Sequence, residues 1–200
     1  MVAWFIFFVL IGRLGSHELA ISNVLRSIYM VLMTPIWGFS QAANTMVSNL
    51  IGQNKSDQVM SLVKRITLFS LIVGVVTVGL ILIYPDWLFH LTTSDSSLIE
   101  GAFRDFPIIC ISTLIFSVGM IQLSSLSGTG ATGVAMNLEI VNISIYLFYI
   151  FICSFVLKST ASSMWMVEIL YWSLMTVFCF GYLYSGKWKS KMNQIAYSHG

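Results

Sequence analysis

Long runs without a charged residue set the strongest limit on how this chain can fold. A helix needs about 20 apolar residues to cross the hydrocarbon core of a bilayer. Five stretches of about this length or longer contain no Asp, Glu, Lys or Arg: residues 27–54, 66–85, 106–138, 140–157 and 169–186. The third is longer than one span needs, and its small-residue segment 127–133 (SGTGATG) predicts a tight turn. We therefore predict five full membrane-spanning helices.

The first apolar run is too short to cross a bilayer. It covers residues 1–12 and ends at Arg13. We expect it to be the outer end of a helix that starts before Met1, so that the chain is a fragment. The alternative is a tilted helix that uses residues 13–19 near the membrane surface. With this piece the predicted fold is an all-α, polytopic membrane protein of six transmembrane helices.

The composition agrees with a membrane protein and excludes several other classes. Charged residues make up 9% of the chain and apolar residues 57%, whereas soluble domains have about 25% charged residues. So few charges cannot coat a soluble globule, and a disordered chain is excluded by the same values. A net charge of +2 without a basic stripe also excludes a nucleic-acid partner. The predicted surroundings are a lipid bilayer.

The distribution of basic residues predicts the orientation. Six spans place both chain ends on one side of the membrane, and the positive-inside rule assigns the more basic side to the cytoplasm. Six basic residues fall on the side of the tail and four on the other: Lys55, Lys64, Arg65, Lys187, Lys189 and Lys191 against Arg13, Arg26, Arg104 and Lys158. We predict a multi-pass protein of the inner (plasma) membrane, with a transmembrane lobe over residues 1–188 and a cytoplasmic basic tail over residues 189–200. Residues 86–105 are expected to form an outward-facing loop.

Two carboxylates lie within or beside the predicted spans. Glu139 follows the glycine turn, and Glu168 starts the last span. Ionisable groups inside a membrane are costly and often mark function. Two interpretations are open for both residues: a carboxylate at the interface that reaches water, or a ligand for a proton or a cation. They are the candidate ion-coupling residues.

Uncharged polar side chains inside the spans are candidates for a substrate cavity. Gln41, Asn44 and Ser48 are spaced i, i+3 and i+7, so they share one helix face. Gln122 and Asn142 lie in later polar clusters. A polar face in lipid must meet protein or a wet cavity. Either these side chains make hydrogen bonds between helices, or they line a cavity that a substrate touches.

No pattern in the sequence predicts an enzyme. The three cysteines lie inside apolar runs without metal-ligand or disulfide spacing, so we interpret them as packing residues. A zinc-protease helix, a Ser-His-Asp set, a phosphate-binding loop and a dinucleotide fingerprint are all absent from the sequence. We predict no catalytic residue, no metal and no cofactor beyond a coupling ion.

Four segments in order together resemble one family of transporters. Residues 38–53 (GFSQAANTMVSNLIGQ) are similar to the glycine and glutamine-alanine pattern of multidrug and toxic compound extrusion (MATE) proteins, and residues 14–23 (LGSHELAISN) to the turn before it. Residues 126–132 (LSGTGAT) resemble the glycine turn after the fourth helix of a half, and residues 184–189 (YSGKWK) an ending of the last helix. The structural motif glycines are Gly38, Gly52, Gly128 and Gly130.

The resemblance is to the C-terminal half of such a transporter. It implies two six-helix lobes, with the N-terminal lobe missing from this chain as the main partner. Members export drugs and toxic organic cations in exchange for Na⁺ or H⁺, by alternating access to a central cavity. On this resemblance Gln41 and Asn44 would line the cavity, and the chain would take part in xenobiotic export.

The sequence departs from the family pattern at its acidic positions. The carboxylate that some members carry in the first helix of this lobe would fall at Met1 or before it, and residues 114–117 lack the acid of the fourth helix. The resemblance therefore implies that the coupling acids belong to the absent half. Two alternatives stay open: a flippase for lipid-linked saccharides from the same superfamily, and an inactive truncated membrane protein.

Overall fold

The computed structural model describes residues 2–157 and 160–189. Within these ranges it contains seven α-helices joined by short turns: α1 Val2–Gly12, α2 Ser16–Gly52, α3 Val59–Ile83, α4 Pro85–Thr92, α5 Ser96–Gly128, α6 Thr132–Phe151 and α7 Ala161–Tyr184. A 3₁₀ turn, Ser56–Gln58, precedes α3, and a π-helical turn, Ile152–Val156, extends α6. The described residues form no β-strand.

Helix lengths separate the spanning helices from the others. The 37 residues of α2 and the 33 of α5 correspond to about 55 and 50 Å, longer than the hydrocarbon core of about 30 Å. The 11 residues of α1 give only about 16 Å. Five helices of the described chain are long and apolar enough to cross a membrane, and α1 is a shorter apolar helix. The predicted all-α fold of five full spans and one short helix is confirmed.

Helix α5 forms the centre of the bundle and positions the others. It packs most extensively against α2 and α7, and also against α3, while α1 contacts α2 and α6. The buried side chains between these helices are mainly Ile, Leu, Val, Met and aromatic residues. In contrast, the outer face of α3 exposes large apolar side chains such as Leu68, Phe69 and Ile72. This face is suited to contact with lipid.

The spanning helices begin earlier in the chain than the charge-free runs predicted. Helix α2 begins at Ser16 rather than residue 27, and α5 at Ser96 rather than residue 106. Charged residues such as Glu18, Arg26 and Arg104 lie within these helices. A helix can continue past the hydrocarbon core into the polar interface, where charged side chains reach water. The absence of charge therefore marks the apolar part of a span and not its ends.

The expectation that residues 86–105 form an outward-facing loop is wrong in its local structure. Most of the segment is helical, because α4 covers Pro85–Thr92 and α5 begins at Ser96. Asp95 caps α5, with its Oδ1 accepting hydrogen bonds from the Ser97 backbone N at 2.9 Å and Oγ at 2.8 Å. These bonds from Ser97 lower the pKa of Asp95. Asp105, assigned to the same loop, is fully buried.

The glycine turn is confirmed, and two of its glycines have clear structural roles. Helix α5 ends at Gly128 and α6 begins at Thr132. A Cβ on Gly128 would lie 2.7 Å from the backbone O of Asn44, so the contact between α5 and α2 requires glycine. Gly130 has φ +83°, which disfavours other residues. Gly38 and Gly52 have open space around the Cβ position, so packing does not explain them.

One ion pair shows that two predicted cytoplasmic segments lie at the same end of the bundle. The Nζ of Lys189, after α7, lies 2.7 Å from Oδ1 of Asp57 in the turn before α3. The common side predicted for this turn and the C-terminal end is thus supported. The remainder of the predicted basic tail, residues 190–200, lies outside the described residues, as does Lys158.

Candidate functional site

Glu168 is a buried carboxylate held by hydrogen bonds from three other helices. It lies on α7 with 3% of its surface exposed. Its Oε1 accepts from Trp4 Nε1 of α1 at 2.9 Å and from the Tyr146 hydroxyl of α6 at 3.3 Å. Its Oε2 accepts from the Tyr29 hydroxyl of α2 at 3.3 Å. A buried carboxylate is costly unless it is hydrogen-bonded in this way.

Aromatic packing holds the three donors in place. The rings of Trp4 and Tyr29 stack with centroids 6.2 Å apart. Tyr146 packs edge-on against Tyr171 at 5.8 Å. Both tyrosine donors are buried, with Tyr29 fully enclosed. Each donor thus combines an apolar ring that suits the helix interior with one polar atom that needs a partner, and Glu168 supplies that partner.

A cavity opens beside this carboxylate. Its volume is about 280 Å³, and α1, α2, α5, α6 and α7 all contribute to its wall. Its lining is rich in aromatic rings and methionines and includes two carboxylates but no Lys or Arg: Ala3, Trp4, Met30, Met33, Trp37, Phe116, Met120, Leu123, Glu139, Ile143, Tyr146, Glu168, Tyr171 and Trp172. We call it the carboxylate cavity. It is the place in the described chain where ionisable and aromatic groups converge inside the bundle.

The structure brings the two predicted ion-coupling candidates to one cavity. Glu139 is exposed on α6, whereas Glu168 is enclosed. The interpretation as an interfacial carboxylate that reaches water therefore does not fit Glu168. It remains compatible with the exposure of Glu139. The role of either residue in ion coupling stays a prediction.

The predicted polar face of α2 is present but does not line the carboxylate cavity. Gln41 and Ser48 are exposed, and Asn44 is half-buried. The Ser48 hydroxyl donates to the backbone O of Gly128 at 3.0 Å. This bond joins α2 to α5 at their point of close approach, so Ser48 has the interhelical role that was one of its two interpretations. Substrate contact by these three residues stays a prediction.

Gln122 and Asn142 are buried inside the bundle and also lie outside the lining of the carboxylate cavity. The Asn142 side-chain amide donates to the backbone O of Tyr171 at 2.9 Å and so links α6 to α7. The Oε1 of Gln122 and the Oδ1 of Asn142 have no hydrogen-bond partner within the described chain. Their assignment to a substrate cavity stays a prediction.

Trp4, Tyr29 and Tyr146 were not selected as site residues from the sequence. Aromatic residues are common in membrane helices, and Trp4 is 164 positions from its acceptor Glu168. The available signal was indirect: a carboxylate predicted inside a span requires donors, and aromatic residues with a polar atom in neighbouring spans can supply them. Choosing among the 28 Phe, Trp and Tyr residues requires the helix arrangement.

A second polar cluster ties three helices together at another part of the bundle. Arg104 on α5 lies 3.5 Å from Glu18 of α2 and 3.2 Å from Asp105. The Ser162 hydroxyl of α7 donates to the same Asp105 carboxylate. Asp105 is enclosed, while half of the Arg104 side chain is exposed. The cluster has the arrangement of a structural link between helix ends.

Lipid-facing helices around an enclosed carboxylate and an adjoining cavity define a polytopic membrane protein with a polar site in its helix bundle. The model of the MatE family matches residues 1–158. The chain belongs to the MatE family.

Two solved structures share this fold. One is an outward-facing multidrug resistance MATE family transporter of the MOP superfamily, with a TM-score of 0.81 and 16% identity over 91% of this chain and 40% of that one. The other is a MATE protein in a bent conformation, with a TM-score of 0.78 and 17% identity over 86% of this chain and 39% of that one. The chain therefore spans about two fifths of the length of either structure. No curated protein matches it.

Proposed function

We propose that this chain is the C-terminal lobe of a secondary transporter that exports drugs or toxic organic cations in exchange for Na⁺ or H⁺. Membership of the MatE family and the shared fold support a transporter. The observation that carries the proposal is Glu168, a carboxylate enclosed within the membrane bundle beside the carboxylate cavity. We further propose that Glu168 takes part in ion coupling, in addition to any acids of the other lobe.

The lining of the carboxylate cavity supports an organic cation as the substrate class. Aromatic faces attract cations, methionines adapt to ligands of different shape, and Glu139 and Glu168 supply negative charge. A volume of about 280 Å³ suits a small ligand or one part of a larger one, because most ligand pockets are about 300–1,000 Å³. A flippase needs cationic groups for a phosphate, and this cavity has no Lys or Arg in its lining.

Coupling requires that an ion changes the relative energy of two arrangements of the protein. Ionised Glu168 accepts from donors on α1, α2 and α6. A bound proton removes the negative charge of the carboxylate and occupies one of its lone pairs, so the three hydrogen bonds lose their charge assistance and weaken. A bound Na⁺ competes for the same lone pairs. Either event changes how α7 is held against three helices, which can bias alternating access.

A dye-efflux assay tests the proposed function. Cells that express the complete reading frame should lower their accumulation of a fluorescent organic cation, and Glu168→Gln should abolish this effect at equal protein level. Glu100→Gln is the matched control, because Glu100 is an exposed carboxylate on α5 outside the carboxylate cavity. Full gradient-dependent efflux by Glu168→Gln would refute the coupling role. Equal dye accumulation with and without the gene would favour the inactive alternative.

The same assay separates the coupling ions and tests the lobe assignment. A protonophore should stop efflux if H⁺ drives it, whereas removal of external Na⁺ should stop it if Na⁺ does. Residues 1–200 alone should give no gradient-dependent efflux, and robust efflux would contradict their assignment as one lobe. The DNA upstream of the Met1 codon should continue in frame through about six further apolar spans, as expected for twelve helices in the MATE resemblance. An immediate in-frame stop would contradict the assignment as a C-terminal half and direct attention to a dimer.

A further inference from the structure

A second cavity lies between the end of α2 and the start of α3. Its volume is about 510 Å³, and it shares no residue with the carboxylate cavity. It is lined by Met46, Asn49, Leu50, Gln58, Ser61, Leu62 and Arg65. We call it the headgroup groove. It lies beside the turn that carries Asp57, where the Lys189 ion pair marks one end of the bundle.

The polar atoms of the headgroup groove suit an anion. Arg65 is exposed and makes no hydrogen bond or ion pair with any described residue. Asn49, Gln58 and Ser61 add hydrogen-bonding groups, and no carboxylate is among the lining residues. An arginine guanidinium can bind a phosphate through two parallel hydrogen bonds. The groove therefore offers a cation that is unpaired within the described chain, and neutral donors with no acid among the lining residues.

The headgroup groove continues into an apolar stripe on the lipid-facing side of α3. Leu68, Phe69 and Ile72 follow Arg65 at i+3, i+4 and i+7, so all four share one helix face. These three side chains are 58%, 62% and 49% exposed. A ligand with a negative headgroup and a long apolar chain matches both parts at once, whereas a free phosphate would use only the first.

We propose that the headgroup groove binds an anionic phospholipid. Arg65 holds the phosphate, the polar groups of Asn49, Gln58 and Ser61 contact the headgroup, and one acyl chain lies along the stripe of Leu68, Phe69 and Ile72. Basic pockets between membrane helices are known to take anionic headgroups. The site is separate from the carboxylate cavity and does not depend on the proposed transport function.

Native mass spectrometry of the purified chain tests this proposal. The protein is equilibrated with equal amounts of phosphatidylglycerol and phosphatidylcholine that have identical acyl chains, and the bound lipids are counted. We expect the wild type to retain phosphatidylglycerol preferentially and Arg65→Gln to lower that retention about tenfold, because it loses a charge-assisted contact. The matched control is Lys64→Gln, which removes the same charge one position away without altering the lining.

Further measurements distinguish lipid binding in the headgroup groove from attraction to general surface charge. Asn49→Leu keeps the net charge and should still lower phosphatidylglycerol retention, and glycerol 3-phosphate in solution should not displace the lipid. Equal losses in Arg65→Gln and Lys64→Gln would overturn the proposal, as would displacement by glycerol 3-phosphate. Thermal unfolding in phosphatidylcholine should be the same for all variants. If Arg65→Gln is unstable, phosphatidylglycerol retention by Asn49→Leu that equals the wild type would still overturn the proposal.

Discussion

The hydrogen bond from Tyr29 to Glu168 offers a direct measurement of how the buried carboxylate is held. Tyr29→Phe removes only the hydroxyl that lies 3.3 Å from Oε2. A hydrogen bond to a charged group contributes about 1.5–3 kcal/mol, and a distance longer than the usual 2.7–2.8 Å favours the lower end. We therefore expect a loss of about 1.5 kcal/mol in the free energy of unfolding, or about 3–6 °C in melting temperature for a chain of this size.

The three buried cysteines provide the assay. Cys110, Cys153 and Cys179 are at most 7% exposed, so a thiol-reactive fluorogenic dye reports unfolding as they become accessible. Melting curves in one detergent at pH 8 compare the variants. Tyr171→Phe is the matched control, because Tyr171 lines the same cavity but its hydroxyl makes no hydrogen bond to the described residues. It should melt within about 1 °C of the wild type.

A double-mutant cycle decides whether Glu168 is the cause. In the Glu168→Gln background the acceptor is neutral, and a neutral hydrogen bond contributes about 1 kcal/mol. Tyr29→Phe should therefore cost about 0.5 kcal/mol less there than in the wild type. An equal cost in both backgrounds, or a melting temperature of Tyr29→Phe equal to that of Tyr171→Phe, would refute the inferred hydrogen bond.

Two further predictions concern polar groups away from the carboxylate cavity. Arg104→Gln should lower the free energy of unfolding by about 1–2 kcal/mol, which is less than for a fully buried pair because Arg104 is half exposed. The same dye melting assay measures this loss. Arg104→Lys is the control and should show a smaller loss. Asp95→Ala should lower the melting temperature at pH 7. Since hydrogen bonds from Ser97 lower the pKa of Asp95, this difference should be present above its ordinary pKa and disappear as the pH falls through the lowered value. A constant difference between pH 7 and pH 2 would contradict this role.

The number and type of the spanning helices were predictable because lipid leaves few choices. A charge-free run long enough to span the core must satisfy its backbone internally and therefore forms a helix. At the interface the backbone is not limited to a helix in this way, because water is available. Charge-free runs therefore do not show that α2 starts at Ser16, eleven residues before the predicted limit, or that α4 begins with Pro85 at its first position.

Among Glu168 and its three donors, only Glu168 was predictable, because a carboxylate is costly to place in a membrane span. Its donors were not, since they come from three helices whose packing is decided by many weak contacts. The polar residues of α2 were selected by their common helix face, which is real, but periodicity does not tell whether a face meets a neighbouring helix or a cavity.

Gly128 shows how the same segment can look like a simple turn in sequence and be a packing site in the structure. A Cβ there would lie 2.7 Å from the backbone O of Asn44 and 3.1 Å from Cβ of Val47, and backbone cannot yield as a flexible side chain can. Gly128→Ala should therefore separate α5 from α2, weaken the bond from Ser48, and cost about 1–3 kcal/mol. Gly133→Ala is the matched control, because Gly133 is the second residue of α6 with open space at its Cβ, and it should be neutral or stabilise by less than the ~1 kcal/mol of a helix interior. Dye melts that move in the same direction for both variants would contradict the close approach of the two helices.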